Sequence, residues 1–400
     1  MALAPIIPAK RTEKITYAIR DIIAVANEVA KTGKKLYYLN IGDPNVYDFV
    51  TPEHIIEANI KAMRDGKNGY SPSSGIPEAI EAVRIDAEKK GIKNIQDIFI
   101  TSGAAEAIET CLNALLNAGD NFLMPTPGYP LYIAIQNKLG LEPNPYYLNE
   151  ENGWLPDIED IKSKINSKTK AIVLINPNNP TGSLYTREVL EQIIELAKEY
   201  NLVIFADEIY DKLIFDGKEM ISIASLDSEV TCITFSGMSK NYLAPGWRLG
   251  WGIVSGKKEF TEDFVEAINK ILRARVSANH PEQYAIPVAL LGDQSHIQDT
   301  ISRLEKRRDV VYNKIQGIDG ISLVKPEGAF YAFPKIEVKD DWNFCIALLR
   351  ATGVMVVPGM GFGQKEGTKH FRIVILPNEE ILGTAFDLLK DFYYDYRTKE

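Results

Sequence analysis

Short apolar runs rich in β-branched residues alternate with helical patterns through the middle of the chain. Between two of these runs Thr186 stands where it can cap a helix, and the apolar positions after it recur every three or four residues. Strands that alternate with helices are typical of a parallel sheet with helices packed on its faces. The pattern predicts an α/β domain around a mostly parallel, mixed sheet, whose clearest strands are residues 97–100, 171–175, 202–206 and 231–235.

The pattern changes toward the end of the chain. Apolar residues spaced by three, four and seven predict a long helix over about residues 293–317. The remaining residues read as strand, strand, helix, strand, strand, helix, with turn signals at residues 326–328 and at Pro358-Gly359. This order predicts a smaller α+β domain. We therefore divide the chain into a large domain over residues 45–290 and a small domain made from residues 1–44 and 291–400.

Composition narrows the classes of function. The chain has 400 residues, of which 45% are hydrophobic and 25% charged, and this is enough for a large buried core. A formal net charge of -9 without a block of Lys or Arg argues against a binder of nucleic acid or anionic membranes. No stretch approaches the roughly 18 apolar residues that span a bilayer. Residues 1–7 are too short for the core of a secretion signal, so we expect a cytoplasmic protein.

The cysteines carry little chemistry. Cys111, Cys232 and Cys345 are far apart and odd in number, and they form no CxxC pair. They indicate neither a disulfide framework nor a zinc site, and they fit a reducing compartment. No metal is expected.

Polar residues follow all four apolar runs, at the edge where open parallel sheets bind their ligands. Residues 101–106 are small or polar and open a helix, whose free N–H groups and dipole can hold a phosphate. A plain helix N-cap is the alternative. Residues 176–182 set amide side chains between two prolines, which favours a requirement beyond turning, although an elaborate strand-to-helix loop remains the alternative.

The last two runs end in a carboxylate and an amine. Asp207 follows an apolar strand, and a buried carboxylate needs a partner. A cationic ring nitrogen would satisfy it, and a helix N-cap is the alternative. Lys240 lies among small residues with Arg248 eight positions later, a pattern that can combine a nucleophilic amine with phosphate recognition, unless Lys240 is a solvated surface lysine. Together the four strand ends predict a pocket for pyridoxal phosphate, bound to Lys240 as a Schiff base.

With its motifs in this order, the sequence resembles the class I and II aminotransferases of fold type I over nearly the whole chain. The motifs that carry the likeness are residues 176–182, residues 207–210, Ser239-Lys240 and Arg248. The likeness is strongest to alanine aminotransferases of microbial type, through residues 40–44, 277–279 and 370–374. It implies a large domain with a mostly parallel mixed sheet flanked by helices, and a smaller α+β domain.

The resemblance implies a role for each matching residue that faces the cofactor ring. Lys240, Asp207 and Tyr210 would be catalytic: the lysine holds the cofactor and moves the substrate proton, and the aspartate keeps the pyridine nitrogen protonated. Asn179 and Tyr210 would hydrogen-bond to the phenolic oxygen of the cofactor. Tyr129 would stack on its ring.

Phosphate and substrate contacts are implied in the same way. The phosphate would be held by the backbone amides of Gly103, Ala104 and Ala105, by the Ser239 hydroxyl and by Arg248. Arg372 would clamp the α-carboxylate of the substrate, a task that a lysine would do poorly, with Gly42 and Asn179 beside it. Tyr70 would reach the phosphate of a neighbouring subunit, which implies a homodimer with shared sites.

Several positions depart from the family pattern or stay open. Many relatives carry Ser-x-Ser-Lys, whereas the position three before the lysine is Gly237 in this chain, and this puts the phosphate contribution of that serine in doubt. Arg20 resembles a gate over the substrate, with a surface helix arginine as the alternative. Arg273 and Arg275 are candidates for the distal carboxylate of glutamate, and a role on a helix surface is the alternative.

The expected reaction is a ping-pong transfer of the amino group of L-alanine to 2-oxoglutarate, giving pyruvate and L-glutamate. Alternatives within the fold are an aspartate or aromatic aminotransferase and a carbon–sulfur β-lyase that also uses pyridoxal phosphate. A non-catalytic regulator that binds the same cofactor would usually carry a basic DNA-binding segment, which the first forty residues do not provide. A nicotinamide dehydrogenase would carry GxGxxG after a strand, and the sequence has none there.

Overall fold

The computed structural model describes residues 5–13 and 18–399. Its helices in chain order are α1 (Ala18–Ala30), α2 (Glu53–Arg64), α3 (Pro77–Lys89), α4 (Ala104–Leu115), α5 (Pro130–Leu139), α6 (Ile158–Lys164), α7 (Arg187–Tyr200), α8 (Lys258–Ala274), α9 (His280–Gln283), α10 (Ala285–Leu291), α11 (Ser295–Gln316), α12 (Asp341–Thr352) and α13 (Glu379–Arg397). None of these described helices is long and apolar enough to cross a membrane. The side chain of Arg20 lies outside the described part of the chain.

The strands fall into one large sheet and several small ones. In chain order they are β1 (Tyr37–Tyr38), β2 (Ile95–Thr101), β3 (Asn121–Thr126), β4 (Pro145–Asn149), β5 (Leu155–Pro156), β6 (Thr169–Ile175), β7 (Val203–Asp207), β8 (Cys232–Gly237), β9 (Gly250–Ser255), β10 (Ile321–Ser322), β11 (Tyr331–Ala332), β12 (Lys335–Ile336), β13 (Val354–Met355), β14 (Val357–Pro358) and β15 (Phe371–Val374).

The large sheet has eight strands in the order β2-β9-β8-β7-β6-β3-β4-β5. Strands β8, β7, β6, β3 and β4 run parallel, whereas β9 is antiparallel to both its neighbours and β5 is antiparallel to β4. The predicted α/β architecture with a mostly parallel, mixed sheet is confirmed. The four predicted strands correspond to β2, β6, β7 and β8.

Apolar residues on both faces explain why the central strands lie in the middle of this sheet. Alternate residues of β6 pack into two separate cores, with Ile172 and Leu174 on one side and Val173 on the other. Strands covered on both faces carry continuous apolar runs. On one face α7 begins at the predicted cap, where the Thr186 hydroxyl accepts a hydrogen bond from the Val189 N–H at 3.4 Å. The two cores thus fix the sheet between helix layers.

Sequence reasoning missed β9, and the structure shows why. This strand begins with Gly250 and contains Gly252, and glycine is a poor strand former because it has no side chain to pack. Here the absence of a side chain is required. A Cβ atom on Gly252 would lie 2.3 Å from the ring of Phe99, and one on Gly250 would lie 2.2 Å from the Ala104 nitrogen. Gly250 therefore lets β9 pack directly against the start of α4, and Gly252 leaves room for the Phe99 ring of β2.

The C-terminal part forms a second core with the N-terminal segment. The predicted long helix is α11, and β1 pairs in parallel with β13. Ile22 and Leu39 join residues from 304 to 393 in this core. Three short strands precede α12 and three follow it, so the predicted order of two and two was wrong. Strands of two residues are too short to show a period of two. The predicted domain boundaries stay a prediction.

Candidate active site

A cavity of about 150 Å³ opens at the carboxyl ends of the central strands. Asp207 ends β7, and in the sheet it lies beside Ile175 of β6 and Phe235 of β8. The segments that follow these strands therefore meet at one level, as expected for an open parallel sheet. The predicted residues that line the cavity are Ala104, Ala105, Tyr129, Asn179, Asp207, Tyr210, Ser239, Lys240 and Arg248.

Asp207 is a buried carboxylate with one unpaired oxygen. The Tyr132 hydroxyl donates a hydrogen bond to its Oδ2 at 3.1 Å, whereas Oδ1 has no partner among the described residues. Burial raises the pKa of Asp207 to about 6, against the opposing effect of hydrogen bonds from Tyr132 and the Ile209 backbone. An anion that lacks a counter-charge beside a cavity is an acceptor for a cationic ligand group.

Lys240 extends into the same cavity from the turn after β8. Its Nζ donates a hydrogen bond to the Gly42 carbonyl at 2.7 Å and lies 5.3 Å from the centre of the Phe330 ring. Burial lowers the pKa of Lys240 to about 8, Asp43 raises it in part, and Arg372 and Arg248 lower it further. A lysine with such a pKa is largely nucleophilic in mildly alkaline solution.

Tyr210 is paired with a second phenol that the sequence did not indicate. Its hydroxyl lies 3.0 Å from the Tyr331 hydroxyl, and both rings are buried. Tyr331 also explains Gly42, because a Cβ atom on that glycine would lie 2.4 Å from the Tyr331 hydroxyl. Tyr331 stands inside an apolar run of β11, where a tyrosine gives no signal of a polar role.

Arg372 of β15 is a buried cation. Its Nη2 donates to the Asn40 carbonyl at 2.8 Å and its Nη1 to Asn179 Oδ1 at 3.4 Å. The guanidinium lies 4.7 Å from the centres of both the Tyr331 and Phe362 rings. Its Nε has no hydrogen-bond partner, and among residues 5–13 and 18–399 no carboxylate pairs with it. An uncompensated buried guanidinium is suited to bind a carboxylate in two-point contact.

The start of α4 lies next to Arg248, an arrangement that suits an anion. Gly103 has a φ of 83° and stands so close to the arginine that a Cβ atom would lie 2.5 Å from its Nη2. The first amides of a helix have no intrahelical partners, so those of Ala104 and Ala105 can bind an anion. Arg248 Nη1 donates to the Pro245 carbonyl at 3.1 Å, which orients the guanidinium. Gly103, the N-terminus of α4 and Arg248 thus lie next to one another.

Gly237, where many relatives have serine, is explained by close packing. A Cβ atom there would lie 2.6 Å from the Leu249 carbonyl oxygen and 3.0 Å from Gly250 Cα in the adjacent strand β9. A serine would therefore require the two strands to separate. Ser239 is buried and lines the cavity, so it is the serine available to a ligand.

Three predicted residues lie away from the cavity. Tyr70 is 86% exposed. Arg273 pairs with Glu266 on the surface of α8 at 2.8 Å. Arg275 donates to the Ser73 carbonyl at 3.0 Å and to the Ile100 carbonyl at 2.7 Å. Neither arginine lines the cavity of its own subunit, and their contact with the distal carboxylate of glutamate stays a prediction.

Comparison with known proteins finds consistent relatives by sequence and by structure. The family described as aminotransferase class I and II matches residues 35–384. Glutamate-pyruvate aminotransferase AlaA of Haemophilus influenzae is 40% identical over 97% of this chain and 98% of its own. An alanine aminotransferase of Mycobacterium tuberculosis is 39% identical over 97% and 92%. The solved structure of an alanine aminotransferase from Pyrococcus furiosus matches with a TM-score of 0.94 at 41% identity, over 97% of this chain and 100% of that one.

The lowered pKa of Lys240 gives a direct prediction. In the cofactor-free protein, acylation of Lys240 should rise with pH and level off above a midpoint near pH 8, because only the neutral amine reacts. Lysines that stay in water ionise near ~10.4. Competitive labelling over a pH series, read by mass spectrometry, measures Lys240 and the exposed lysines in one sample. A Lys240 profile that coincides with that of the exposed lysines would show that the amine is not perturbed.

Proposed function

The chain belongs to the class I and II aminotransferases, and on that premise we propose that it transfers the amino group of L-alanine to 2-oxoglutarate, giving pyruvate and L-glutamate. The support for alanine is that relatives about 40% identical over nearly their whole length carry the names alanine or glutamate-pyruvate aminotransferase. The observation that carries the chemistry is the position of Lys240 and the unpaired Asp207 Oδ1 at one cavity.

Enzymes of this family depend on pyridoxal 5′-phosphate, and the residues at the cavity fit it. The orphaned Asp207 oxygen suits a protonated ring nitrogen, and the close approach of Gly103 to Arg248 suits a phosphate. Lys240 supplies the amine that bonds to the aldehyde. When bound, the cofactor supplies an electron sink that stabilises negative charge developing at the substrate Cα.

We assign the proton transfer to Lys240. With a pKa of about 8, its amine would be largely neutral in mildly alkaline solution and could take the proton from the substrate Cα and later give it back. Tyr210 and Asn179 line the same cavity and would hold the phenolic oxygen of the ring, while the Tyr331 hydroxyl orients Tyr210. Tyr129, which also lines the cavity, would cover the ring.

Both substrates carry an α-carboxylate, and we assign its binding to Arg372. The guanidinium is already fixed by Asn40 and Asn179 and has an unpaired Nε. One arginine can therefore serve the amino donor and the oxo-acid acceptor in turn, which is what a ping-pong exchange needs. Gly42 brings backbone close to the same point because no side chain separates it from Tyr331.

We also propose a homodimer in which Tyr70 completes the phosphate site of the neighbouring subunit. Its phenol is exposed, while the backbone around it is held by a contact between His280 and the Gly69 carbonyl at 2.9 Å and by Gln283, which donates to Ser71 at 3.0 Å. A fixed backbone that presents a tyrosine to solvent suits a protein partner.

A cytoplasmic location fits the three free, buried cysteines.

The substrate proposal is tested by adding single amino acids to the purified enzyme. Alanine and glutamate should each convert the lysine-bound cofactor to its amino form, seen as loss of the visible absorbance. Faster conversion by aspartate or aromatic amino acids would overturn the alanine assignment, and release of ammonia would indicate a β-lyase. The Lys240→Ala variant should lose the absorbance and the reaction, whereas Lys61→Ala, at an exposed helix position, should keep both.

The shared site is tested by mixing two variants, one inactive and one with weakened cofactor binding. Tyr70→Phe should weaken cofactor affinity about tenfold, the value of a hydrogen bond to a charged group. In a hybrid with Lys240→Ala, the subunit that keeps its lysine receives an intact Tyr70 from its neighbour. At limiting cofactor, reassembled mixtures should therefore recover up to about a quarter of wild-type activity. Mixtures no more active than the sum of the separate variants would place Tyr70 outside the neighbouring site.

A further inference from the structure

Three polar residues directly follow the proposed catalytic residues in the chain and do not line the cavity. Glu208 follows Asp207, Asp211 follows Tyr210, and Asn241 follows Lys240. All three are buried, with 2%, 7% and 1% of their surface exposed. Buried polar groups that do not touch the ligand need another explanation.

Asp211 joins two of the turns that carry the site. Asn241 Nδ2 donates a hydrogen bond to Asp211 Oδ1 at 2.6 Å, so the residue after Lys240 is linked to the residue after Tyr210. The other carboxylate oxygen, Oδ2, forms an ion pair with Lys90 Nζ. Lys90 caps the end of α3. One carboxylate therefore connects both turns to a helix on the face of the sheet.

The charges around Lys90 balance within the group. Lys90 also pairs with Asp86 at 2.8 Å, and Lys212 pairs with Asp86 at 3.1 Å. Burial alone would lower the pKa of Lys90, but Asp211 and Asp86 more than offset this and raise it, so the lysine stays charged. We call Lys90, Asp86, Lys212, Asp211 and Asn241 the Lys90 network.

Stability alone does not account for such a network. A buried ion pair gains little over apolar side chains of the same volume, because desolvation of the charges offsets their attraction. The distinctive property of the network is the fixed direction of the hydrogen bond between Asn241 and Asp211. The Asp211 carboxylate can only accept, so the Asn241 amide must turn its NH2 group toward it. The backbone carbonyl of Asn241 is held as well, since it accepts a hydrogen bond from His296 Nε2 at 3.2 Å. Asn241 is thus held through both its side chain and its backbone. Because it directly follows Lys240, it fixes the turn that carries the lysine.

We propose that the Lys90 network is a positioning element that sets the Lys240 amine relative to the Tyr210 phenol. The proposal rests on the function assigned above, since it concerns the same lysine and tyrosine. Asn241 and Asp211 are positioning residues, because neither lines the cavity. Their hydrogen bond links the two turns directly, in addition to the pairing of strands β7 and β8. A shift of about 1 Å between reacting groups can cost about a hundredfold in rate.

The test uses Asn241→Ala in the holoenzyme. We expect kcat to fall about tenfold or more with a smaller change in KM for alanine, because Arg372 is untouched. The pH at which the visible absorbance of the Lys240-bound cofactor titrates should shift by about one unit, because the Tyr210 hydrogen bond to the ring changes. This spectroscopic readout is independent of turnover and would not move through a loss of stability alone.

Asn269→Ala is the matched control. It removes a similar hydrogen bond, from Asn269 Nδ2 to Asp97 Oδ2 at 3.0 Å, between α8 and the start of β2, away from the cavity. This variant should keep the wild-type titration and kcat. Equal effects of the two variants, or no effect of Asn241→Ala, would overturn the positioning role.

A rescue variant separates positioning from general damage. Asn241→Asp sets two carboxylates against each other and should impair the enzyme more than Asn241→Ala. Adding Asp211→Asn exchanges amide and carboxylate and should recover part of the kcat and move the titration back toward wild type; no recovery would contradict the proposal. If the wild-type protein itself forms no visible absorbance with the cofactor, the proposed function fails, which is distinct from a normal wild type with an unaffected Asn241→Ala.

Discussion

The site depends on a carboxylate that is buried at the end of a central strand and forms no ion pair within residues 5–13 and 18–399. Asp207 completes β7, whose neighbours on both sides are apolar, and within those residues its Oδ2 is hydrogen-bonded whereas its Oδ1 is not. Burying such a group is costly unless a partner compensates it. The cavity beside it is where the partner can bind. Burial raises the pKa of Asp207 to about 6, which still leaves this carboxylate largely ionised near neutral pH.

Two other charged side chains near the cavity, Arg372 and Lys240, share this property. Arg372 also lacks a carboxylate partner among the described residues, and the half-buried Lys240 has its pKa lowered to about 8. Under the proposed function, each of the three would be completed by a ligand group: Asp207 by the ring nitrogen, Arg372 by the substrate carboxylate and Lys240 by the aldehyde. Behind them, the buried Asp211 pairs with the half-buried Lys90. The three charges near the cavity have no ion-pair partner among the described residues, whereas the charges behind it pair with each other.

The sequence was informative where the position of a residue in the sheet determines its type. Continuous apolar runs predicted the central strands, and the polar residues after them led to Asp207 and Lys240. It was uninformative where contacts come from distant strands: Tyr331 meets Tyr210 across 121 positions, inside an apolar stretch that reads as core. Gly237 looked like a missing serine, and only the neighbouring strand shows that a side chain has no room there. The short strands around α12 left no period to read.

The state of the cofactor ring nitrogen tests the account most directly. With cofactor isotopically labelled at that nitrogen, NMR of the wild-type holoenzyme should show a protonated pyridinium at neutral pH, because the Asp207 anion faces it. Asp207→Asn should show the unprotonated ring, whereas Asp341→Asn, at a buried carboxylate of another part of the fold, should leave it protonated. An unprotonated nitrogen in the wild type, or a protonated one in Asp207→Asn, would contradict the central role of this carboxylate.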